Sequence, residues 1–507
     1  MKERFFTVIC AAAACAACGC VDVDKSVAPT PSRYWKAPSD ALPETFVQPE
    51  QIRTDKIESD ESSEQGDSPA AADSADKKTS DGVEKSLTAA EKLRAGRTLA
   101  LDELIDLALE NNTQTRVYWF QAKSYAAKVG GAQSAYYPQV SVGAQVYRSK
   151  IHPSNSGLGV PVGKYYETGY GPSAEINWLL CDFGKRGAQV ESAKNAWRAA
   201  NFDYNQSLQD EVLAVMVAYY DFYSAYANVE SAKLSLDEAR TAYDSANARY
   251  SQGVGNKQDM LNALANAKNG EFLLEKAKSA VETARAALAQ AIGVRVDENF
   301  QVSAEAVIPT GEAATQKIDE LVAKALRSRQ SLLAAYAQLA KTAADKKVAE
   351  RAFLPQIGAF GQYSYTDYTE HSRGHQDTYT GGLSLSWSVF EGFARKYDLI
   401  AAKAAERAQA QTLKAEQIRI ISDIWNYYHQ YSSAEKQVAS AQSVLEASEE
   451  AFKATKTAYE NGVSNITEFL TAQSRLATAR QQKVSAQAAL ATSIARLAHA
   501  TGALSVE

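Results

Sequence analysis

The sequence predicts an internally duplicated α+β membrane protein, in which long α-helical coiled-coil hairpins alternate with four transmembrane β-strands per chain. Three observations carry that expectation. Segments of the chain recur at an offset of 209 to 217 residues. Two very long runs contain neither Gly nor Pro, and short segments between the helices alternate apolar and polar residues with a period of two.

The N-terminus begins MKERFFTVICAAAACAACGC, with Lys2 and Arg4 ahead of an apolar run from Phe5 to Ala17. This is the pattern of a secretory signal peptide over residues 1–19, too short to span a bilayer as a mature helix. The ending ACGC resembles a bacterial lipoprotein signal, in which cleavage leaves an acylated, palmitate-bearing cysteine. Cys20 is the first choice for that cysteine and Cys18 the alternative; an ordinary cleaved signal is the competing reading. No later segment offers about 18 continuous apolar residues, so no transmembrane helix is expected.

Residues 20–96 read as a lipid-anchored, flexible acidic linker. The stretch SDESSEQGDSPAAADSADKKTSDG is almost devoid of large apolar side chains and cannot bury enough surface to offset the entropy of ordering. Net charge is -6 with no basic block, which excludes nucleic acid as an expected partner. Four of the five cysteines lie within the first twenty residues and Cys181 stands alone, so there is no disulfide framework.

The remainder divides into two copies, 97–300 and 301–507. LDELIDLAL (Leu101 to Leu109) returns as IDELVAKAL (Ile318 to Leu326), and YYPQVSVGAQV (Tyr136 to Val146) returns as FLPQIGAFGQY (Phe353 to Tyr363), both 217 residues on. Trp178 matches Trp387, Arg186 matches Arg395 and Tyr250 matches Tyr459, all at 209. The difference marks an eight-residue insertion in the loop HPSNSGLGVPVG of the first copy.

Each copy holds a long helical run, Ala188 to Tyr250 and Lys396 to Glu460. At about 1.5 Å per residue such a run makes a rod on the order of 95 Å, a length that points to coiled-coil packing. Aromatic clusters sit at matching places, Tyr219, Phe222 and Tyr223 against Trp425, Tyr428 and Tyr431, and are expected to pack. The period-two segments separate two faces. Val140, Val142, Ala144 and Val146 alternate with Ser141, Gly143 and Gln145. Ala174, Ile176, Trp178 and Leu180 alternate with Ser173, Glu175, Asn177 and Leu179; Leu383, Leu385, Trp387 and Val389 alternate with Ser384, Ser386 and Ser388. Val140, Val142, Ile176, Trp178, Leu385 and Trp387 are therefore expected to face lipid. Four strands cannot close a barrel, because bacterial barrels start at about eight, and an open edge inside a membrane leaves backbone groups unpaired. If these strands span a membrane, several chains must share one barrel.

With these parts in order the chain resembles the TolC family of outer-membrane efflux proteins. The resemblance covers residues 98 to 505. It rests on the duplicated layout, the junctions Tyr137-Pro138-Gln139 and Leu354-Pro355-Gln356, and the strand endings WLLCDFGKR and WSVFEGFAR. These endings resemble a Trp-x-Leu-Phe-Asp-Gly-Gly-x-Arg pattern, with Cys181 in place of Phe and Glu391 in place of Asp. The resemblance implies a homotrimer with a twelve-stranded β-barrel in the outer membrane and an α-helical tunnel through the periplasm. It also implies a passive exit duct for tripartite efflux or type I secretion, docked through a periplasmic adaptor (a membrane fusion protein) to an inner-membrane transporter. A periplasmic coiled-coil adaptor or a structural envelope lipoprotein are the competing functions; the first would need a lipoyl-like β-domain, which is not found, and the amphipathic strands speak against the second.

The resemblance further implies that the repeated turns YSQGVGNKQDML and YENGVSNITEFL form the periplasmic gate and tip. Tyr250, Gly253, Asp259, Tyr459, Gly462 and Glu468 are the residues it singles out. Gly253 and Gly462 suit a positive-φ helix C-cap, and Asn256 and Asn465 suit the N-caps that follow. Asp259 and Glu468 then stand three residues past their caps, as capping-box carboxylates or as acidic groups at the pore. Ser464 and Thr471 occupy positions where a basic latch and a second pore carboxylate would be expected, so Tyr459 and Tyr250 bonded across the helices are an alternative hold. No catalytic residue, metal site or cofactor is expected. Of the five histidines only His371 and His375 are close, in a Gly374-containing loop, and GLGVPVG lacks the Lys and following helix of a phosphate loop.

Overall fold

The computed structural model describes residues 23, 25–38, 98–151, 165–296, 301–303, 317–369 and 374–504. Cys18, Cys20, most of the 20–96 segment, His152, His371 and the inserted loop from His152 to Gly163 lie outside the described residues.

The two copies are built from the same elements in the same order. The first runs β1 (Thr98–Leu99), α1 (Leu101–Asn111), α2 (Thr113–Gln133), β2 (Gln139–Ile151), β3 (Tyr165–Cys181), α3 (Lys185–Ser251) and α4 (Lys257–Ala291). The second runs β4 (Gln301–Val302), α5 (Ile318–Ser328), α6 (Gln330–Arg351), β5 (Gln356–Tyr368), β6 (His375–Ser386), α7 (Ala394–Glu460) and α8 (Ile466–Ala500). The helices α3 and α7 are each 67 residues long, and α4 and α8 are each 35. Among the described residues no helix is long and apolar enough to cross a membrane.

The chain packs into two units. The first comprises Arg116–Gln206, Gln330–Arg419 and the described residues up to Ala37. It contains an antiparallel four-stranded sheet in the order β2-β3-β5-β6. Register is regular in the two hairpins, with Val140 opposite Ile176 in one and Ile357 opposite Leu385 in the other. Between β3 and β5 the ladder is interrupted beside Pro172, which has no N–H to donate, and a bulge follows between Leu179 and Cys181. Strand β6 stops at Ser386, so Trp387 and Val389, expected within it, lie just beyond. Its partner β5 starts at Gln356 after Pro355, which offers no donor to extend the ladder.

The same unit corrects the expectation of a uniformly flexible segment over 20–96. Residues 25–38 dock against helices. Val27, Ala28 and Trp35 are buried. Asn205 acts as a surrogate strand partner for Trp35, accepting from its N–H and donating to its carbonyl, both at 2.9 Å. The indole N–H groups of Trp119 and Trp197 donate to the carbonyls of Ala28 and Ser26, and the Tyr204 hydroxyl donates to Arg33 O. Trp35 meets Trp197 and Phe202 edge to face at 5.4 and 5.3 Å. The acidic, Ser-rich composition that argues for flexibility belongs to residues further on; the RYWKAP stretch carries the one large aromatic anchor that an ordered segment needs.

The second unit holds the described residues of Pro38–Thr115 together with Ser207–Arg329 and Ile420–Glu507. Its core gathers Leu99, Leu104, Leu107, Ala108, Val215, Tyr219, Tyr220, Leu288 and Ile292. A short parallel pair, β1 with β4, lies beside that core, and the Tyr219 hydroxyl donates to Ser303 O. Tyr219 therefore packs as expected. Trp425 does not: it is 46% exposed, since no described element of this chain covers that face of α7.

Candidate functional site

Two places concentrate the residues singled out by the sequence, the strand ends in the first unit and the helical turns in the second. In the sheet, alternation separates the faces as expected. Val140, Val142, Val146, Trp178, Leu383 and Leu385 are exposed and share one side, with half-buried Ile176 among them, and the exposed Trp387 follows just past β6. The opposite side carries Ser141, Gly143, Gln145, Ser173, Glu175, Asn177, Ser384 and Ser386. An exposed band of this size on one face of a sheet marks a surface that meets something apolar.

The strand endings show what the repeated Trp, acid and Arg do. Trp178 donates its indole N–H to Tyr136 O at 2.9 Å, and Trp387 does the same to Phe353 O at 3.1 Å. Arg186 donates to the carbonyls of Leu179, Leu180 and Ala135, and its Nε donates to Asp182 Oδ2 at 3.2 Å. Asp182 also accepts from the Arg186 N–H at 2.7 Å, capping the start of α3. One guanidinium thus ties together the end of a strand, the end of the preceding helix and the start of the next. Arg395 repeats the arrangement with Glu391, Ala352 O and Ser388 O. The backbone between acid and Arg turns sharply: φ is 52° and 92° at Phe183 and Gly184, and 61° and 67° at Gly392 and Phe393. Both positions need the left-handed region, yet each copy keeps only one Gly and places Phe at the other. A non-Gly residue held there costs about 1–2 kcal/mol.

At the turns the backbone closes as the glycines anticipate. Gly253 and Gly462 have φ of 76° and 74°. Gly253 N bonds Tyr250 O and Val254 N bonds Arg249 O, both at 3.0 Å; Gly462 N and Val463 N bond Tyr459 O and Ala458 O in the same way. This is the Schellman arrangement, which satisfies the last carbonyls of α3 and α7. Gly255 is required for a different reason, because a Cβ there would lie 2.8 Å from Tyr250 N. Asn256 then caps α4 by accepting from Gln258 N, and Asn465 caps α8 by accepting from Glu468 N.

Glu468 is exposed, and its carboxylate accepts from Ser464 Oγ at 2.5 Å and Asn465 Nδ2 at 3.3 Å. The Glu468 N–H takes the Asn465 cap bond, and its carboxylate bonds the two side chains that lead into the helix. Asp259 occupies the first turn of α4 and is half-buried. Tyr250 is 40% exposed, whereas Tyr459 is buried against Ala242, Ala246, Ala263, Ile466 and Phe469. The Tyr459 ring stacks on Phe469 at 5.3 Å with the planes nearly parallel. Burial pushes the Tyr459 phenol up from its ordinary value; the Arg249 guanidinium opposes that shift and Asp259 adds to it.

What crosses between the two hairpins is not a bond between the tyrosines. Arg249, at the end of α3, lies over the Tyr459 ring at 4.7 Å and donates from Nη2 to Tyr459 O and Glu460 O at 3.1 and 2.9 Å. A cation on the exposed carbonyls at the end of α7 is where the helix dipole favours it. Two more cross-hairpin contacts lie further along, Asn266 Nδ2 to Gln473 Oε1 at 2.8 Å and Arg480 to Glu238 at 2.9 Å. Sequence reasoning missed Arg249. The signal was a basic residue in the last turn before a C-cap Gly, which local rules assign to its own helix's dipole rather than to a neighbour's. His375, the only one of the close histidine pair that is described, stacks on Tyr365 at 5.9 Å.

Comparison with known proteins bears on both places. A family model described as "Outer membrane efflux protein" matches residues 104–294 and 321–503, one block per copy. Protein CyaE of Bordetella pertussis is 30% identical over 415 residues, covering 80% of this chain and 84% of that protein. The outer membrane protein VceC of Vibrio cholerae superposes with a TM-score of 0.70 at 18% identity, over 79% of this chain and 96% of its own. The open state of the MtrE outer membrane channel of Neisseria gonorrhoeae gives 0.65 at 21% identity, over 79% and 88%. These structural likenesses establish a shared fold.

Proposed function

The chain belongs to the outer membrane efflux protein family, and from that premise we propose that it is the outer-membrane exit duct of a tripartite efflux or type I secretion system. Three copies would each give four strands to one twelve-stranded barrel, and the long helices would continue it as a periplasmic tunnel. Substrates delivered by an inner-membrane transporter would pass through without chemical change, with a periplasmic adaptor joining the two. The observation that carries this reading is the sheet itself. One face carries an exposed apolar band, and among the described residues its outer strands β2 and β6 each have a partner on one side only. In a membrane those free edges must be paired, because each unsatisfied backbone group costs several kcal/mol there.

In this reading the apolar band meets lipid, with Trp178 and Trp387 at its border, and Cys20 or Cys18 carries the acyl anchor. The helical turns form the periplasmic mouth. Val254 and Val463, 76% and 83% exposed at the apices, are surfaces for the adaptor. Arg249 is the latch that holds the two hairpins of a protomer together, in place of the basic residue expected at Ser464. Glu468, repeated around a three-fold axis, would add negative charge at the opening.

Planar-bilayer recording of the purified protein tests this. The wild type should form channels of small conductance. Arg249→Gln should raise the conductance several-fold by freeing the second hairpin, and Glu468→Gln should lower the preference for cations. A protein that inserts no channels under any of these conditions would refute the duct, and unchanged selectivity would remove Glu468 from the opening.

A further inference from the structure

The two outer strands of the sheet present a definite problem. If β6 of one copy pairs with β2 of the next, the fold of one chain does not directly give the register. A slip by one residue would turn one strand's apolar face to the wrong side, but a slip by two would not. The internal duplication supplies the missing information.

Each strand of the first copy has a counterpart in the second. First strands are related by 217 residues, so that Gln139 at the start of β2 corresponds to Gln356 at the start of β5. Second strands are related by 209, taking Trp178 to Trp387. The three-dimensional structure obeys both offsets. Trp178 bonds Tyr136 O and Trp387 bonds Phe353 O; Arg186 bonds Ala135 O and Arg395 bonds Ala352 O. The hairpin registers obey them too: applying the offsets to Val140–Ile176 and Val142–Ala174 gives Ile357–Leu385 and Ala359–Leu383, and both pairs are present. The repeat therefore conserves strand register to the residue.

The junction between the copies, β3 with β5, joins the second strand of one repeat to the first strand of the other. Ala174 lies opposite Tyr363, Glu175 opposite Gln362, Ile176 opposite Gly361 and Trp178 opposite Ala359. A junction between chains would again join a second strand, β6, to a first strand, β2. It is the same junction one repeat further on.

We propose that β6 of one copy pairs with β2 of the next in this duplicated register. Leu383 then lies opposite Val146 of the next copy, Ser384 opposite Gln145, Leu385 opposite Ala144 and Trp387 opposite Val142. The inference rests on the shared barrel proposed above and specifies its seam. Every pair respects the faces seen within the chain: Leu383, Leu385 and Trp387 meet Val146, Ala144 and Val142 on the apolar side, so the band runs on without a break. Ser384 meets Gln145 on the polar side. At the far end Tyr379 comes opposite Lys150, which corresponds to Tyr170 opposite Asp367 within the chain, where the tyrosine donates to the carboxylate at 2.9 Å. Asp377 becomes a diagonal neighbour of Lys150, within reach of its long side chain. The rival register, slipped by two, would place Asp377 directly opposite Lys150 but move Leu383 to Ala144. Direct charge pairing and repeat symmetry thus make different predictions, and the symmetry is the one the chain's other ladders obey.

Disulfide trapping separates them. In a Cys181→Ser background, Ser384→Cys is combined in turn with Gln145→Cys, Gly143→Cys and Tyr147→Cys, and each full-length protein is oxidised in detergent. Cysteines bridge only when their Cα atoms lie within about 7 Å. Three strand spacings of about 4.8 Å separate β2 from β6 inside one chain, so any bridge must join two copies. The Leu383→Cys/Val146→Cys pair is run alongside, because adjacent ladder positions alternate between wide and close side-chain spacing. The Glu175→Cys/Gln362→Cys pair within one chain reports that oxidation works at this junction type, and single-cysteine variants report background.

The expected result is a covalent trimer on non-reducing gels for Ser384 with Gln145 or Leu383 with Val146, and none with Gly143 or Tyr147. Bridging to Gly143 or Tyr147 instead overturns the register, as does a trimer by light scattering that bridges at none of these positions while the internal pair oxidises. A monomer by light scattering, with the internal pair still bridging, overturns the shared barrel itself.

Discussion

Helices α3 and α7 are the same length and occupy the same place in the two copies, yet the chain treats them differently. Along α3, residues such as Tyr204, Leu208, Val215, Tyr219 and Tyr220 are buried almost completely. Along α7 the buried large residues thin out to Leu413, Ile420, Ile424, Leu445 and Tyr459, while Tyr397, Ile400, Ile418, Trp425 and Val444 remain exposed. Repetition of a sequence pattern has preserved the rod without preserving what covers it. The first copy receives residues 25–38 over the early part of α3 and the β1–α1 segment over a later part. Over α7 the cover is narrower: Ile420 and Ile424 are fully buried and Arg329, at the end of α5, pairs with Asp423 at 3.4 Å. No described segment plays the part of residues 25–38 there, and the exposed apolar residues are left for a neighbour, as the proposed trimer requires.

The comparison can be broken most severely at the strand endings. Arg186 and Asp182 are each 7% exposed, whereas Arg395 and Glu391 are 13% and 46% exposed. Arg186→Ala leaves a buried carboxylate without its counter-charge and removes a donor from three carbonyls, and is expected to cost about 3–5 kcal/mol. Arg395→Ala leaves a carboxylate that water can reach and should cost clearly less. Thermal unfolding of the two variants side by side checks this; equal losses would mean that the two copies are energetically equivalent after all.

Core truncation sharpens the contrast between the rods. Leu208→Ala on α3 removes a fully buried side chain and should cost about 2–5 kcal/mol in the folding of a single protomer. Ile418→Ala on α7, where the side chain is 59% exposed, should change protomer stability by no more than about 0.5 kcal/mol. If α7 faces another copy, the same substitution should weaken trimers, read as mass against dilution in detergent. A trimer that is indifferent to Ile418→Ala would place that face elsewhere.

The one stabilising effect expected concerns the turn that the two copies solve in opposite ways. Phe183→Gly removes a left-handed non-Gly residue and should raise stability by about 1 kcal/mol, reduced by the flexibility that Gly adds to the unfolded chain. A loss of stability in its place would mean that packing of the half-exposed Phe183 ring outweighs its backbone strain.

Much of this architecture was legible in the chain because the rules involved are local. Gly253 and Gly462 followed by Asn256 and Asn465 specify a helix end and a helix start within a few residues. The alternation from Val140 to Val146 specifies two faces whatever lies against them. The long-range features were not legible. Arg249 reads as an ordinary basic residue near a helix C-terminus, and its real partners, the carbonyls of Tyr459 and Glu460, are some 210 residues away in sequence. Trp35 stands in a stretch whose overall composition argues for a flexible linker, and only Asn205, Trp197 and Phe202 reveal that it is an anchor.

The sequence by itself determined the duplication, the lengths of the rods, the faces of the strands and the chemistry of the turns, because periodicity and backbone preference are properties of neighbouring residues. Only the tertiary structure decided which copy is covered more fully, where the N-terminal segment docks, and which cations tie the two hairpins together. Those outcomes depend on the packing of surfaces brought together across hundreds of residues, and a repeated sequence can meet different surroundings in each of its copies.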